Sequence, residues 1–489
     1  MFLRKNILQL ARDSATYGLV NFTGKALSFA AIPIFTRIFT PEDFGVMSLL
    51  GMLSGLAWPI LEMGMDCGVE LYFYREKDID KRNGMIFSGL IFILVWATLL
   101  TIVLALSNKP ISRIMFRETS YSGLIKLVIV VSYLNCFINY CKYLLRLGME
   151  AWKFVCVTVV YNFLGVGFGI YLVLVRKSGI PGIYWGQFFA CFAALAMLTL
   201  WTTKYFSLKF SITAVGKFLK VGIPYVPTAL VYIFATYVDR ICLSRLSNLS
   251  EVGLYAVSIK LSSIIAMLRG MFQMAWNPIR LKIYHNNEDY QQTYRAVMSG
   301  ALIIFSFIAV FITAVRHEAL FIFTTSKYFG AHAAVGPLCI AEAVRGCYAV
   351  ALVGIYVTMK TYWMLIFASI SLVVNVLLNV ILIPILGITG AAIATFVSMA
   401  LIVIMAYIIS QRLVESIRFD WKRDIGILAV SILAIGLFYL TDLVGDHWLR
   451  LGLNLAIVFV FPGLLFLFGI VDTGMVRKGL AMARSKIPL

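Results

Sequence analysis

Charged residues are scarce in this sequence. Asp, Glu, Lys and Arg together make up 13% of the 489 residues, whereas soluble proteins carry about 25%. Hydrophobic residues make up 61% of the chain, and apolar segments recur along its whole length with only short breaks. No stretch between them is long enough for a soluble enzyme domain. The composition is that of a membrane protein.

Motifs of ATP-driven, redox and metal-dependent proteins are also lacking. No Gly-x4-Gly-Lys-Ser/Thr phosphate loop occurs, which argues against an ATP motor. The eight cysteines form no C-x-x-C pair and mostly lie in apolar stretches, as packing residues do. Asp78-Ile-Asp80 has the carboxylate pairing of metal-dependent glycosyltransferases, but it lies in a short charged loop. The four histidines, all in loops or at span ends, are His285, His317, His332 and His447. We therefore expect no enzyme activity, no cofactor and no metal site.

Apolar segments of about 20 residues, the length that crosses a bilayer, recur throughout the chain. The predicted spans are 18–39, 45–72, 84–106, 122–145, 152–175, 179–202, 221–243, 252–279, 295–315, 333–358, 361–385, 387–410, 424–441 and 449–470. They predict an all-α membrane protein with about fourteen transmembrane helices. The segment before the first span contains Arg4, Lys5 and Arg12 and has no long apolar core. We interpret residues 1–17 as a cytoplasmic amphipathic lead-in rather than a signal peptide.

Lysine and arginine are unevenly divided between the predicted loops. If the N-terminus is cytoplasmic, about 26 lie on the cytoplasmic side and about 11 on the other side. Cytoplasmic loops are enriched in these residues, so we predict a multi-pass inner-membrane protein with both termini in the cytoplasm. The net charge of +19 is then explained by the membrane, and no nucleic-acid partner is expected.

The sequence contains an internal repeat. Gly45, in Pro-Glu-Asp-Phe-Gly before the second span, and Gly253, in Ser-Glu-Val-Gly before the eighth, are 208 positions apart. Gly179 and Gly387, which open the sixth and twelfth spans, are also 208 positions apart. Equal offsets predict two six-helix bundles related by a parallel pseudo-two-fold repeat, with the substrate site between them near the bilayer midplane. The predicted divisions are the lead-in 1–17, an N-terminal bundle 18–203, a cytoplasmic linker 204–220, a C-terminal bundle 221–410, and two extra helices with a cytoplasmic tail, 411–489.

Several ionisable residues lie within apolar spans, where a charge costs about 2.5–3.5 kcal/mol. We predict that four cations line an aqueous cavity and bind an anionic headgroup; these are Lys25, Lys260, Arg269 and Arg345. Glu62, Asp66 and Glu70 step by four along the second span and so share one helix face. Of these, Asp66 and Glu70 are candidates for ion coupling.

Other polar residues are predicted to line the cavity rim or to be structural. They are Arg37, Glu62, Asp239, Arg240, Glu342, Asn375 and Asn379. An alternative interpretation is that the buried acids and bases simply pair and lock the helices together. Glu342 and Arg345, three residues apart, are spaced for such a pair, and Asn375 and Asn379 are suited to interhelical hydrogen bonds.

Several stretches resemble the polysaccharide transporter, or O-antigen flippase, branch of the multidrug/oligosaccharidyl-lipid/polysaccharide exporter superfamily. They are Pro33-Ile-Phe-Thr-Arg37, Pro41-Glu-Asp-Phe-Gly45, Gly222-Ile-Pro-Tyr-Val-Pro227, Asp239-Arg240, Val252-Gly-Leu-Tyr255, Ala275-Trp-Asn-Pro278, Asn379-Val-Ile-Leu-Ile-Pro384 and Gly387-Ile-Thr-Gly-Ala-Ala392. The resemblance implies a flippase that carries an undecaprenyl-diphosphate-linked oligosaccharide from the cytoplasmic to the periplasmic leaflet by alternating access. The product would be O-antigen, a part of lipopolysaccharide, or an exopolysaccharide.

The implied partners are the lipid-linked oligosaccharide, membrane lipids and other polysaccharide-assembly membrane proteins. Three alternatives stay open: a peptidoglycan-precursor flippase, a cation-coupled multidrug extruder of the same fold, and a membrane glycosyl polymerase. The basic residues within spans count against the extruder, and the short external loops count against the polymerase. The sequence leaves H⁺, Na⁺ and the membrane potential open as driving forces.

Overall fold

The computed structural model describes residue 24 and residues 26–286, 290–414 and 419–467. Every regular element in this part of the chain is helical, and twelve of its helices are long and apolar enough to cross a membrane. The helical membrane fold predicted from the apolar segments is therefore confirmed. The predicted lead-in 1–17, Lys25 and the chain beyond residue 467 lie outside the described residues.

The helices are numbered in chain order. They are α1 (Ile32–Ile38), α2 (Pro41–Glu62), α3 (Met65–Arg75), α4 (Ile79–Leu106), α5 (Asn108–Phe116), α6 (Ser122–Leu147), α7 (Ala151–Leu174), α8 (Gly179–Thr202), α9 (Ile212–Gly222), α10 (Tyr225–Leu246), α11 (Leu249–Asn286), α12 (Tyr290–Ala314), α13 (Arg316–Phe323), α14 (His332–Ala351), α15 (Val353–Val357), α16 (Tyr362–Leu413), α17 (Trp421–Thr441) and α18 (His447–Leu467). Short 3₁₀ helices cover Thr203–Tyr205 and Ser326–Ala331.

Helix α16 is two membrane crossings joined at a tight turn. Its backbone leaves the helical conformation at Gly387, where φ is 55° and ψ is −132°. The Ser371 hydroxyl donates a 2.8 Å hydrogen bond to the carbonyl of Ser398. In a straight helix these residues would lie about 40 Å apart, so the chain folds back on itself. The predicted separation of 361–385 from 387–410 is therefore correct. The described residues hold thirteen crossings, and the predicted first span, described only over Ala26–Ile38, would complete about fourteen.

The second predicted span, 45–72, is not one continuous helix. Its first part is α2, which begins at a capping box. The Thr40 side chain accepts from the Asp43 N–H, and the Asp43 carboxylate accepts from the Thr40 N–H. The span breaks at Met63 and Gly64, which have φ values of 52° and 65°. The expectation of a single helix is therefore wrong. The glycine at the break has a steric reason: a Cβ on Gly64 would lie 2.5 Å from the backbone oxygen of Gly222, so the two backbones touch.

The chain divides into two compact units between Ser244 and Arg245. In unit 1, which ends at Ser244, helices α7 and α8 pack closely because glycines meet at their interface. A Cβ on Gly186 would lie 2.4 Å from the backbone nitrogen of Gly169 and 2.8 Å from the oxygen of Gly165. Close approach through small residues four positions apart is typical of membrane helices. Helix α10 packs on α2 in this unit, with Ile233 3.4 Å from the position of a Cβ on Gly55.

Unit 2, which begins at Arg245, is built around α14. The segment Ser326–Val357 has 83% of its most apolar window buried, whereas the corresponding window of α4 in unit 1 is 17% buried. The two C-terminal helices dock on α12 through buried polar contacts. Ser299 donates a 2.7 Å hydrogen bond to Asp424, and Asn454 donates a 3.0 Å bond to the carbonyl of Ala314.

The internal repeat is visible as a common contact register inside each unit. In unit 1, Tyr74 and Glu70 of α3 bond to α6 residues 73 positions later. In unit 2, Arg269 and Trp276 of α11 bond to α14 residues that are also 73 positions later. A constant separation means that the two helices of each pair run in the same direction. Both units therefore pair the second and fourth helices of a predicted bundle in the same register.

Candidate functional site

Two of the predicted headgroup cations share one carboxylate in unit 2. Nη2 of Arg269 on α11 lies 3.2 Å from Oε2 of Glu342 on α14, and Nη1 of Arg345 lies 3.5 Å from Oε1 of the same residue. The side chains of Arg269, Glu342 and Arg345 are 16%, 20% and 24% exposed. We call these three residues the basic triad. Its formal charge is +1, because two guanidinium groups face one carboxylate.

The other predicted cations are not part of this triad. Lys260 lies on α11 nine residues before Arg269 and is exposed, and that spacing corresponds to about 13 Å along the helix. Lys25 lies outside the described residues. The sequence therefore predicted a set of four cations, of which the structure brings Arg269 and Arg345 together.

The acidic residues of the second span lie on both sides of its break. Glu62, the last residue of α2, is buried, with 3% of its surface exposed. Asp66 and Glu70 lie on α3; Asp66 is partly buried and Glu70 is exposed. The break interrupts the single helix face on which the spacing by four was based.

Glu70 has a partner that the sequence did not reveal. The Tyr143 hydroxyl of α6 donates a hydrogen bond to the Glu70 carboxylate, and the guanidinium of Arg146 lies 4.4 Å from the centre of the Tyr143 ring. Because Tyr143 is 73 positions from Glu70, no local pattern links them; only the repeat register could have suggested the contact.

The break in the second span also frees a backbone acceptor. In a continuous helix the carbonyl of Ile60 would accept from the N–H of Gly64, but Gly64 is in the left-handed conformation. The indole N–H of Trp96 on α4 donates to this carbonyl at 2.9 Å instead. A broken helix within a membrane is stable where neighbouring side chains satisfy the released groups, and Trp96 has this function here.

The predicted rim residues occupy separate places. Arg37, in the last turn of α1, is exposed. On α10, Asp239 is 7% exposed, and the Arg240 guanidinium lies 4.4 Å from the centre of the Tyr237 ring. A stacked guanidinium of this kind is a cation–π contact, so Arg240 is held against its own helix.

Asn375 and Asn379 hold the α16 hairpin together. Asn375 donates a 3.1 Å hydrogen bond to the Ser398 hydroxyl across the hairpin. Asn379 donates to the side-chain oxygen of Asn375 at 2.8 Å. Both asparagines are buried, at 6% and 0% exposure. Their contacts match the interhelical hydrogen bonding that the sequence offered as the alternative to a role at the cavity rim.

A third charged cluster lies outside the membrane-spanning segments. Glu150, between α6 and α7, lies 2.5 Å from Nζ of Lys153 and 2.7 Å from Nζ of Lys204, and it accepts a hydrogen bond from the Tyr205 hydroxyl. Burial alone would raise the pKa of Glu150, but hydrogen bonds from Lys153, Lys204 and Tyr205 outweigh it and lower the pKa from 4.5 to about 2. Glu150 therefore ties the α6–α7 turn to the end of α8.

Comparison with known proteins identifies the family and the fold. The profile of the polysaccharide biosynthesis protein family matches residues 10–284, more than half of the chain. No curated protein sequence matches.

Several solved structures of transporters have a similar fold. One is the lipid II flippase MurJ in an inward closed conformation, with a TM-score of 0.73 and 16% identity over 93% of this chain and 99% of that chain. Another is an inward-facing multidrug resistance MATE transporter of the MOP superfamily, with a TM-score of 0.69 and 15% identity over 82% of this chain and 98% of that chain. An outward-facing MATE transporter has a TM-score of 0.58 and 14% identity over 84% and 96% of the two chains. The chain therefore belongs to the polysaccharide biosynthesis protein family and has the helical fold found in transporters of the MOP superfamily.

Proposed function

We propose that this protein is a flippase for an undecaprenyl-diphosphate-linked oligosaccharide, which it moves from the cytoplasmic to the periplasmic leaflet by alternating access. The cargo would serve O-antigen or exopolysaccharide biosynthesis. The observation that carries the proposal is the basic triad, in which two arginines within membrane helices of a family member share one carboxylate. Its residual positive charge suits an anionic headgroup that cannot enter hydrocarbon alone.

Arginine suits a diphosphate because its planar guanidinium donates two parallel hydrogen bonds to phosphate oxygens. Glu342 accepts from Nε and Nη2 of Arg269 and from Nη1 of Arg345. We propose that the diphosphate displaces Glu342 from one or both arginines when it binds. Glu342 then acts as the counter-charge of the empty transporter and limits repulsion between the two arginines.

The membrane potential would drive such a cycle. Each elementary charge moved across the bilayer contributes about 2.3 kcal/mol per 100 mV. In the orientation predicted from the lysine and arginine bias, with both termini cytoplasmic in the inner membrane, an inside-negative potential favours outward movement of the anionic cargo. It also favours inward return of an empty site that carries positive charge.

A second contribution from ion coupling is proposed for Asp66 and Glu70. Both lie on α3 beyond the break in the second span, and Glu70 already accepts a hydrogen bond from the Tyr143 hydroxyl. Discontinuous helices are found at substrate and ion sites of transporters. If transport of the lipid-linked oligosaccharide depends on pH or sodium in the unaltered protein but not in Glu70→Gln, this role is supported.

The double variant Arg269→Gln/Arg345→Gln tests the headgroup site. We expect surface polysaccharide, measured per molecule of protein in the membrane, to fall at least tenfold. Arg113→Gln, which removes an exposed arginine from the short helix α5, is the matched control and should leave the polymer unaffected. Polysaccharide at the unaltered level in the double variant would rule out the role of these arginines.

Deletion of the gene separates the two cargoes that share a diphosphate headgroup. The likeness to the fold of a lipid II flippase makes a peptidoglycan precursor the second candidate. Loss of surface polysaccharide in viable cells is expected from the proposed function, whereas loss of viability would favour the peptidoglycan precursor. Increased drug sensitivity with both polymers intact would instead favour a multidrug extruder.

A further inference from the structure

Three potential metal ligands meet where helix ends of unit 2 come together. His317 lies on α13, His332 is the first residue of α14, and Asp442 directly follows α17. One ring nitrogen of each histidine and one carboxylate oxygen of Asp442 all lie within 4.8 Å of one another. These residues are 15 and 110 positions apart along the chain, so their spacing gave no metal motif.

His332 and Asp442 are each oriented by a neighbouring group. Nδ1 of His332 lies 2.6 Å from the carbonyl oxygen of Phe329. A carbonyl only accepts, so Nδ1 carries the hydrogen and Nε2 keeps a lone pair. Metal-binding histidines generally donate their other ring N–H to a carbonyl or carboxylate in this way, which fixes the ring.

Asp442 is held by a buried arginine. Arg316, which is 0% exposed, pairs with Oδ2 of Asp442 and also donates to the carbonyls of Thr313 and Phe438 at 2.9 and 3.0 Å. The other oxygen, Oδ1, lies 2.8 Å from Nε2 of His317. The ring centres of His317 and His332 are 4.7 Å apart. A single proton therefore links His317 and Asp442 beside a second imidazole.

We propose that His317, His332 and Asp442 bind one divalent transition-metal ion of the zinc type. The ion would bind Nε2 of His317 and Oδ1 of Asp442 in place of the hydrogen bond between them. The His317 proton would move to Nδ1, and water would be the fourth ligand. Zinc takes nitrogen and oxygen ligands at about 2.0–2.2 Å, which places two tetrahedral ligands about 3.3–3.6 Å apart. Small side-chain movements would therefore widen the 2.8 Å between His317 and Asp442 and bring His332 closer to them. The side chains of His317 and Asp442 are 19% and 20% exposed, which leaves the ion a path from solvent.

The ligand chemistry favours zinc over calcium and magnesium. Hard cations need several oxygen ligands, whereas this group offers two imidazoles and one carboxylate that already pairs with Arg316. Imidazole suits zinc, copper, nickel and iron. A bound ion would join α13, α14 and the end of α17, and so would fasten the C-terminal helices to the rest of unit 2.

Zinc titration of the purified full-length protein tests the proposal. We expect one zinc ion per chain, and we expect His317→Gln and His332→Gln each to weaken binding at least tenfold. His447→Gln is the matched control: its Nδ1 lies 3.8 Å from Oε1 of Glu318, and the variant should bind zinc with unchanged affinity. Asp442 is not substituted, because its loss would also remove the ion-pair partner of the buried Arg316.

Thermal unfolding gives a second readout that does not depend on transport. Zinc should raise the unfolding temperature of the unaltered protein and of His447→Gln, since a ligand that binds only the folded state stabilises it. Neither calcium nor magnesium should do so. In a chelator all variants should unfold at a similar temperature.

Chemical modification keeps the proposal testable if a variant fails to fold. In the unaltered protein, zinc should protect His317 and His332, but not His447, from diethylpyrocarbonate. Absence of zinc binding, binding that survives both substitutions, or equal modification of the three histidines with and without zinc would overturn the assignment.

Discussion

Replacement of Glu342 by glutamine should leave two arginines facing each other without a counter-charge. Glu342→Gln keeps the size and most of the hydrogen-bonding shape of the side chain but removes its charge. The formal charge of the basic triad then rises from +1 to +2. Because all three side chains are mostly buried, at 16–24% exposure, water compensates for only part of this change.

The expected cost follows from the distances. At 3.2 and 3.5 Å, each attraction amounts to about 5 kcal/mol at an effective dielectric constant of about 20. Dehydration of the charges offsets much of it, and removal of one partner from a fully buried pair costs about 3–5 kcal/mol. Since these side chains are not fully buried, we expect a destabilisation of about 2–3 kcal/mol. For a unit of about 250 residues this lowers the unfolding temperature by about 4–12 °C.

A double-mutant cycle measured by thermal unfolding in detergent checks this reasoning. Glu342→Gln/Arg269→Gln removes one of the two uncompensated arginines, so it should be more stable than Glu342→Gln alone. Glu76→Gln is the control, because its pairing with Lys81 is at the surface, where that lysine is 62% exposed, and should cost less than about 1 kcal/mol. If Glu342→Gln unfolds at the unaltered temperature, or if the double variant is as unstable as the sum of the single ones, Glu342 does not offset the charges of the two arginines.

Three further predictions concern stability. Gly64→Ala forces a Cβ against the backbone of Gly222 at a φ of 65°, and it should lower the free energy of unfolding by more than about 2 kcal/mol. The control is Gly216→Ala in α9, which has open space around it and should be neutral or stabilising by up to about 1 kcal/mol. Glu150 has a folded-state pKa below its usual 4.5, so its stabilisation is complete above about pH 4.5 and is lost as the pH falls towards 2; the difference in unfolding temperature between the unaltered protein and Glu150→Gln should therefore shrink over this window. Asn375→Leu breaks the α16 hairpin contact and should cost about 1 kcal/mol by thermal unfolding, and an unchanged unfolding temperature would contradict the role of Asn375.

The positions of the membrane crossings were predictable because bilayer thickness sets a length that the sequence has to match. The turn at Gly387 is the clearest case: an apolar stretch of 52 residues is too long for one crossing of about 30 Å, and glycine marks where it folds back. The repeat was also predictable, since equal offsets between turn glycines reflect the equal registers later seen between paired helices.

The break at Gly64 could not be predicted from the sequence. A predicted span of 45–72 exceeds the length that one crossing needs, and Gly64 lies within it, but neither signal says that the backbone of Gly222 would occupy the space of a Cβ. That contact joins residues far apart in the chain. The face shared by Glu62, Asp66 and Glu70 was inferred from an unbroken helix. Asp66 and Glu70 keep that spacing on α3, whereas Glu62 lies before the break, at the end of α2.

The candidate sites were only partly predictable for the same reason. Arg345 and Glu342 are three residues apart, so their pairing follows from helix geometry. Arg269, 73 positions earlier in the chain than Glu342, contacts the same carboxylate from another helix. His317, His332 and Asp442 meet only because ends of α13, α14 and α17 lie close together. A sequence shows which ionisable residues are costly to place in a membrane, but the partners that stabilise them depend on packing.

The basic triad can be a structural lock or a headgroup site, and its charge separates the two. A lock works best when charges cancel, so under that interpretation Arg345→Gln, which leaves Arg269 paired one-to-one with Glu342, should keep or raise both stability and transport. A diphosphate site needs a surplus of positive charge, so the same substitution should preserve the fold while surface polysaccharide falls at least tenfold. Glu342→Gln should then tighten binding of a diphosphate lipid and slow its release, although it destabilises the empty protein. If transport rises and falls with stability across these variants, the triad is a lock. If it is a binding site, Arg345→Gln is at least as stable as the unaltered protein and yet less active.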